Sequence, residues 1–256
     1  MKFQFKNNVI ILNIYISGMK YRVLIDTGSE NSFLVYSKKL NNFKYRMNYK
    51  INVKGIGKSK LITHAYLIPK INIDNYNLYN IKFLSKKKNF LFYYLGIDGI
   101  IGWDILKNLN FFIDFKNKYF NIDISDTRKK NYDFYLSHTS IIKDKKLVIE
   151  TIYNKKIVPT LIDLGANNSV ISDELLSGDE EIKIKKNFIF GINGVYLRKV
   201  SEIKQLSIGI GLQNIDIQNT IIKNFKYNWL LKLGTDSFMN HILYFDNIEG
   251  EVLFIE

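Results

Sequence analysis

Two stretches of the chain align without a gap: NIYISGMKYRVLIDTGSENSFL, Asn13 to Leu34, and ETIYNKKIVPTLIDLGANNSVI, Glu150 to Ile171. Asp26 falls on Asp163, Gly28 on Gly165 and Ser32 on Ser169, an offset of 137 (163 − 26). Further on, GIIGWDILKNLNFFIDFKNKYFNI, Gly99 to Ile122, aligns with LLKLGTDSFMNHILYFDNIEGEVLF, Leu230 to Phe254. Here Gly102 falls on Gly234, Asp104 on Asp236 and Asp114 on Asp246, each offset by 132 (234 − 102). Between these blocks KGIGKSK, Lys54 to Lys60, faces FGINGVY, Phe190 to Tyr196, and INIDNYNL, Ile71 to Leu78, faces LSIGIGLQ, Leu206 to Gln213. Ordered blocks at a nearly constant spacing mark a duplicated unit. The expected organisation is one unit over residues 1–127, a linker over 128–140 and a second unit over 141–256. The drop from 137 to 132 means that the second copy has lost a few residues in its middle.

Each unit reads mainly as strand. VIILNIYI (9–16), YRVLI (21–25), KLITHAYLI (60–68) and NFFIDF (110–115) are rich in β-branched and aromatic residues and are bounded by Gly, Asn or Lys. Short helices are expected after Gly102 and Gly234, with Asp104 and Asp236 as their N-caps.

In each unit an apolar strand runs into Asp-x-Gly. Asp, Thr and Gly are ordinary turn residues, so VLIDTGSENSFL alone reads equally well as a turn. Its echo TLIDLGANNSVI supplies a second carboxylate. If the units pack about a pseudo-twofold axis, Asp26 and Asp163 meet, and two carboxylates at close range share a proton. One then acts as base toward a water while its protonated partner polarises a carbonyl. Gly28 and Gly165 let the backbone turn sharply beside the carboxylates. The Ser29 hydroxyl is placed to donate to Asp26, which Ala166 cannot do for Asp163, so the pair is expected to be unequal. Two hairpin turns, with Gly55, Ile56 and Gly57 in one and Gly191, Ile192, Asn193 and Gly194 in the other, are expected to close over an extended peptide.

IDTGSENSF (25–33) and DGIIGWDIL (98–106), repeated as LIDLGANNSVI and LLKLGTDSF, resemble the signatures of retropepsin-like and pepsin-like aspartic proteases. The resemblance covers nearly the whole chain. It implies an all-β, bilobal acid-protease-like fold of two pseudo-twofold-related, barrel-like lobes with short helices. It also implies an Asp26/Asp163 dyad at the lobe junction, where proton sharing is that family's known behaviour. Further implications are no cofactor, no metal, and an active monomer that hydrolyses peptide or protein substrates as an aspartic endopeptidase. The second loop departs from the family pattern: it reads Asp163-Leu164-Gly165, where the family has Thr or Ser in the middle. In the family that hydroxyl bonds across to the opposite loop; Leu164 cannot, which leaves Thr27 to make its half of the contact. Lys232 is a second departure, standing where the first unit has Ile100. A weakened or inactive peptide- or protein-binding module with the same fold is the alternative reading.

Other chemistries find little support. With no cysteine there is no disulfide, thiolate metal site or Cys nucleophile. His64, His138 and His241 are far apart and lack metal-ligand spacing. GIGKS, Gly55 to Ser59, lacks the upstream glycine of a phosphate loop, and a strand pattern follows it. The net charge of +13 is spread along the chain in small lysine knots, so it reads as a solvated surface, and no nucleic-acid partner is expected. The apolar run Val9 to Gly18 is short and interrupted by Asn13; it is read as a strand and not as a secretory signal. No run is long enough to span a membrane, and a soluble, cytoplasmic protein is expected.

Overall fold

In a computed structural model, the backbone is described for residues 1–35, 46–54, 60–122, 136–139, 141–143, 146–191, 194–210, 213–224 and 228–255. Tight hairpins open both halves. β2 (Val9–Ile16) turns into β3 (Met19–Asp26) through Ser17 and Gly18, both at positive φ. β13 (Lys146–Tyr153) turns into β14 (Lys156–Ile162) through Asn154 and Lys155, again both at positive φ. Two central residues at positive φ match the twist of the strands they join. The two turns are themselves offset by 137 (154 − 17).

The first sheet adds β1 (Gln4–Lys6), β4 (Phe33–Val35), β5 (Arg46–Lys54), β6 (Lys60–Ile73), β7 (Tyr76–Lys86) and β8 (Gly99–Gly102), in the order β1-β2-β3-β8-β4-β7-β6-β5. The second adds β12 (Ile141–Lys143), β15 (Val170–Ser172), β16 (Ile182–Gly191), β17 (Gly194–Ile210), β18 (Gln213–Lys223) and β19 (Leu231–Leu233), in the order β12-β13-β14-β19-β15-β18-β17-β16. Strand for strand, the orders are the same. Each sheet curls so that its second strand also meets its long hairpin strand: Tyr15 pairs with Asn72, and Ile152 with Gly209. The fold is all-β and bilobal, with barrel-like sheets.

A third sheet joins the halves. It holds β9 (Phe111–Asp114), β10 (Tyr119–Ile122), β11 (Leu136–Thr139), β20 (Ile242–Asp246) and β21 (Glu251–Ile255), in the order β10-β9-β20-β21-β11. β9 and β20 pair antiparallel, with Ile113 opposite Leu243, and Phe111 stacks on Phe245 with ring centroids 4.3 Å apart. β11 comes from the stretch between the units and pairs with β21. The main core cluster runs through both halves, from Ile10 and Ile25 to Ile162, Leu233 and Phe254.

Helix α1 (Phe90–Leu95) accounts for the shift in offset. Asn89 caps it by accepting from the Phe92 N–H, and Gly96 ends it in the left-handed conformation. β7 and β8 are separated by residues 87–98, β18 and β19 by only 224–230, a difference of five that equals the drop from 137 to 132. α1 drives Phe92 and Leu95 into a cluster with Val9, Ile11, Leu24, Phe33, Leu84 and Ile100. The equivalent cluster is smaller: Val148, Leu161 and Val170, with Ile221 beside them and Trp229 as cover. Among the described residues no helix is long and apolar enough to cross a membrane.

Candidate active site

Asp26 ends β3, which runs parallel to β8 with Asp26 opposite Gly102. Asp163 follows β14, and its N–H donates to Leu233 O on β19 at 2.9 Å. Each carboxylate therefore leaves a strand held between two neighbours, so the loop after it starts from a fixed point.

The loops cross at their glycines. A Cβ on Gly28 would overlap the Asp163 carboxyl, and one on Gly165 would overlap that of Asp26. Only glycine permits this mutual approach. The two carboxyl groups are thereby brought near enough for each to act on the other's charge. Burial and the neighbouring Asp163 charge push the Asp26 carboxyl up to about 7, while the Ser29 N–H and the Lys232 ammonium pull it back down.

Thr27 fastens the first loop to the second. Its hydroxyl donates to Ile162 O at 2.8 Å and accepts from the Leu164 N–H at 2.9 Å, and Thr27 itself is fully buried. The Leu164 side chain is also fully buried and joins the main core cluster. The second loop thus exchanges a hydroxyl contact for apolar packing.

The Ser29 hydroxyl does not reach Asp26. It donates to Asn31 O at 2.8 Å, and the Ser29 backbone N–H donates to Asp26 Oδ1 at 2.9 Å. In the second loop the Gly165 N–H donates to Asp163 Oδ1 at 3.2 Å. The Ser29 hydroxyl is therefore not what sets the two carboxyls apart. The Lys232 ammonium lies 3.2 Å from Asp163 Oδ2, a contact that Ile100 cannot give in the first half.

Asp104 and Asp236 are not N-caps. α2 (Trp103–Leu106) is capped by Gly102 and the 3-10 turn Thr235–Phe238 by Gly234, neither with a side-chain cap bond. The aspartates sit inside the first turn and tie it to the two Asp-x-Gly loops. Ser32 donates its N–H and its hydroxyl to Asp104, at 3.1 and 2.6 Å, and its oxygen accepts from the Gly102 N–H at 2.8 Å. Ser169 repeats the knot with Asp236 at 2.9 and 2.7 Å and with Gly234 at 3.0 Å. Burial pushes both carboxyls up, and the serine donors pull them back. Ser32, Ser169, Asp104 and Asp236 all recur between the halves at the two offsets, and that recurrence is the sequence signal for their joint role.

Gly191 and Gly194 pair across the end of the β16–β17 hairpin, and Lys54 and Lys60 across that of β5–β6. Gly55, Ile56, Gly57, Ile192 and Asn193, expected at the hairpin tips, lie outside the described residues. Among the described residues no group of three or more His, Asp or Glu is disposed to hold a metal ion.

The sequence matches no protein-family model and no curated protein. The structure is similar to that of an aspartic proteinase from Irpex lacteus, with a TM-score of 0.66 over 99% of this chain and 95% of that one, at 12% identity. At that identity the likeness is one of fold.

Proposed function

We propose that the protein is an aspartic-type endopeptidase in which Asp26 and Asp163 activate water against a peptide carbonyl. The observation that carries this reading is the mutual seating of the two loops, each glycine packed on the opposite carboxyl. With one proton between them, the ionised carboxylate removes a proton from water as the water oxygen attacks the carbonyl carbon. The protonated carboxyl gives its proton to the carbonyl oxygen, forming a tetrahedral diol. The diol then collapses: one diol proton returns to the second carboxylate, the first carboxyl protonates the leaving nitrogen, and the C–N bond breaks. No covalent intermediate is formed. One chain supplies both carboxylates, so a monomer is sufficient, and the substrate is a peptide or protein in extended form.

Wild type and Asp26→Asn are compared on a mixture of peptides. Wild type cleaves, and the variant loses about 10²–10⁴-fold, the range for removing a positioned acid or base. Equal cleavage by the two would falsify the mechanism. The second reading, a binding module with no turnover, is favoured by Leu164, which removes one cross-loop hydroxyl. It predicts that wild type binds a transition-state mimic of peptide cleavage yet cleaves nothing.

A further inference from the structure

Lys232 brings a cation to the pair where the first half has none at the equivalent position. Its equivalent there is Ile100, 2% exposed and packed in the cluster that α1 covers. β19 runs parallel to β14 with Leu161 opposite Lys232 and Ile162 opposite Leu233. Side chains alternate along a strand, so Lys232 shares a face with Leu161 and, one step further, with Asp163. The cluster on that face is smaller than its counterpart, with Trp229 in place of a helix. The ammonium ends 3.2 Å from Asp163 Oδ2, with the two side chains only 18% and 16% exposed. An ammonium so far withdrawn from water needs a paired negative charge.

We propose that Lys232 is a positioning residue that fixes the charge within the pair: its ammonium holds Asp163 as the carboxylate, so the shared proton resides on Asp26. This rests on the endopeptidase reading for its catalytic consequence, namely that Asp163 is the base toward water and Asp26 the acid toward the carbonyl. Charge balance fits a single proton on the pair: one neutral carboxyl, one carboxylate and protonated Lys232 sum to zero. Which carboxyl is ionised follows from the contact, because the ammonium lies against Asp163 Oδ2. Among the described residues the charged groups facing Asp163 are Asp26, from the first loop, and Lys232, from β19. Asp236, in the turn after β19, also feels Lys232, but Ser169 takes up both its oxygens. Of Asp163's own oxygens, Oδ1 accepts from Gly165 and Oδ2 from Lys232. Among the described residues Asp26 accepts from the Ser29 N–H and forms no ion pair, and Lys232 acts on it from beyond Asp163. Protonating Asp163 would strand the ammonium, so Lys232 also resists inactivation by acid.

The test is a carboxyl ¹³C NMR titration of aspartate-labelled protein, with Asp26→Asn and Asp163→Asn used to assign the two signals. In wild type Asp163 ionises first as pH rises and Asp26 later. In Lys232→Met the Asp163 midpoint rises by about 1–3 pH units, the size of an opposite-charge contact, and Lys232→Arg restores it. Lys232→Ile, which copies the residue of the first half, serves if the Met variant does not fold. An Asp163 midpoint unmoved in the uncharged variant, or Asp26 ionising first in wild type, overturns the assignment. The pH profile of kcat/KM is measured alongside, and its acidic limb moves up in Lys232→Met. Midpoints that shift as stated in a protein that cleaves nothing would uphold Lys232 and sink the endopeptidase reading. Cleavage with unmoved midpoints and an unmoved acidic limb would do the reverse.

Discussion

Thr27 and Leu164 occupy equivalent positions and solve the same problem by different physics. Thr27 serves two backbone groups of the opposite strand and loop, an acceptor at Ile162 and a donor at Leu164, both buried. Thr27→Val strands both, at about 1–3 kcal/mol each, so a loss of about 2–6 kcal/mol is expected in denaturant unfolding. Leu164→Thr goes the other way. It gives up apolar burial worth about 2 kcal/mol for a hydrogen bond worth about 1, and a net loss of about 1 kcal/mol is expected despite closer likeness to the Asp-Thr-Gly of the first loop. Asp26 makes a separate prediction about pH. Its folded value near 7 lies above its ordinary value of 3.8, so the folded state holds a proton that the unfolded chain has released. Stability is then greatest below about pH 4 with respect to this group and declines as pH rises toward about 7. Asp26→Asn removes that decline, which thermal unfolding at pH 4 and pH 8 reads directly. A steeper decline in the variant would contradict the burial argument.

At the scale of elements, the two halves use the same knot with one difference. Ser32 joins the first loop to β8 and α2 through Gly102 and Asp104, and Ser169 does so in the second half with Ser237 as an extra neighbour at 2.7 Å. Ser32→Ala leaves a buried N–H and a carboxylate short of partners and costs about 2–4 kcal/mol. Ser169→Ala costs less, because the Ser237 hydroxyl is already within reach of the vacated position. Paired unfolding curves decide this, and equal losses would mean that Ser237 does not compensate. Much of this level is legible in the sequence: the strand-loop-strand blocks, the glycines and the conserved spacing between the copies all follow from the duplication. Some is not. Asp104 precedes a short helix and reads as a cap, yet a loop serine seventy-two positions earlier claims its carboxylate. Ser29 is adjacent to the pair in sequence, but its hydroxyl turns to Asn31 while its backbone reaches Asp26. α1 carries its own signal in Asn89 and Gly96 around six apolar residues. Its place comes from the strands: the sequence blocks at Lys54 and Ile71 face their partners at offsets of 136 (190 − 54) and 135 (206 − 71), whereas the equivalent strand pairings keep 137 as far as Lys86 (223 − 86). Lys232 is visible as a departure in the sequence. Only its register opposite Leu161 shows that it points at Asp163.

For the whole molecule, the five-stranded sheet makes the halves one body. Phe111 and Phe245 stack across the β9–β20 seam, each fully buried. Phe245→Ala is expected to cost about 3–5 kcal/mol and to loosen the lobes relative to each other. It should therefore lower peptide cleavage although Phe245 belongs to neither loop. The central claim is that two copies of one loop make a single site. Groups that act as a unit are grossly non-additive when removed together. The decisive measurement is the rate of peptide cleavage by wild type, Asp26→Asn, Asp163→Asn and the double variant under one condition. A single site predicts that each Asn variant loses most of the activity and that the double variant is no worse than the poorer single one. Losses that multiply in the double variant, or a single variant that cleaves like wild type, would contradict it.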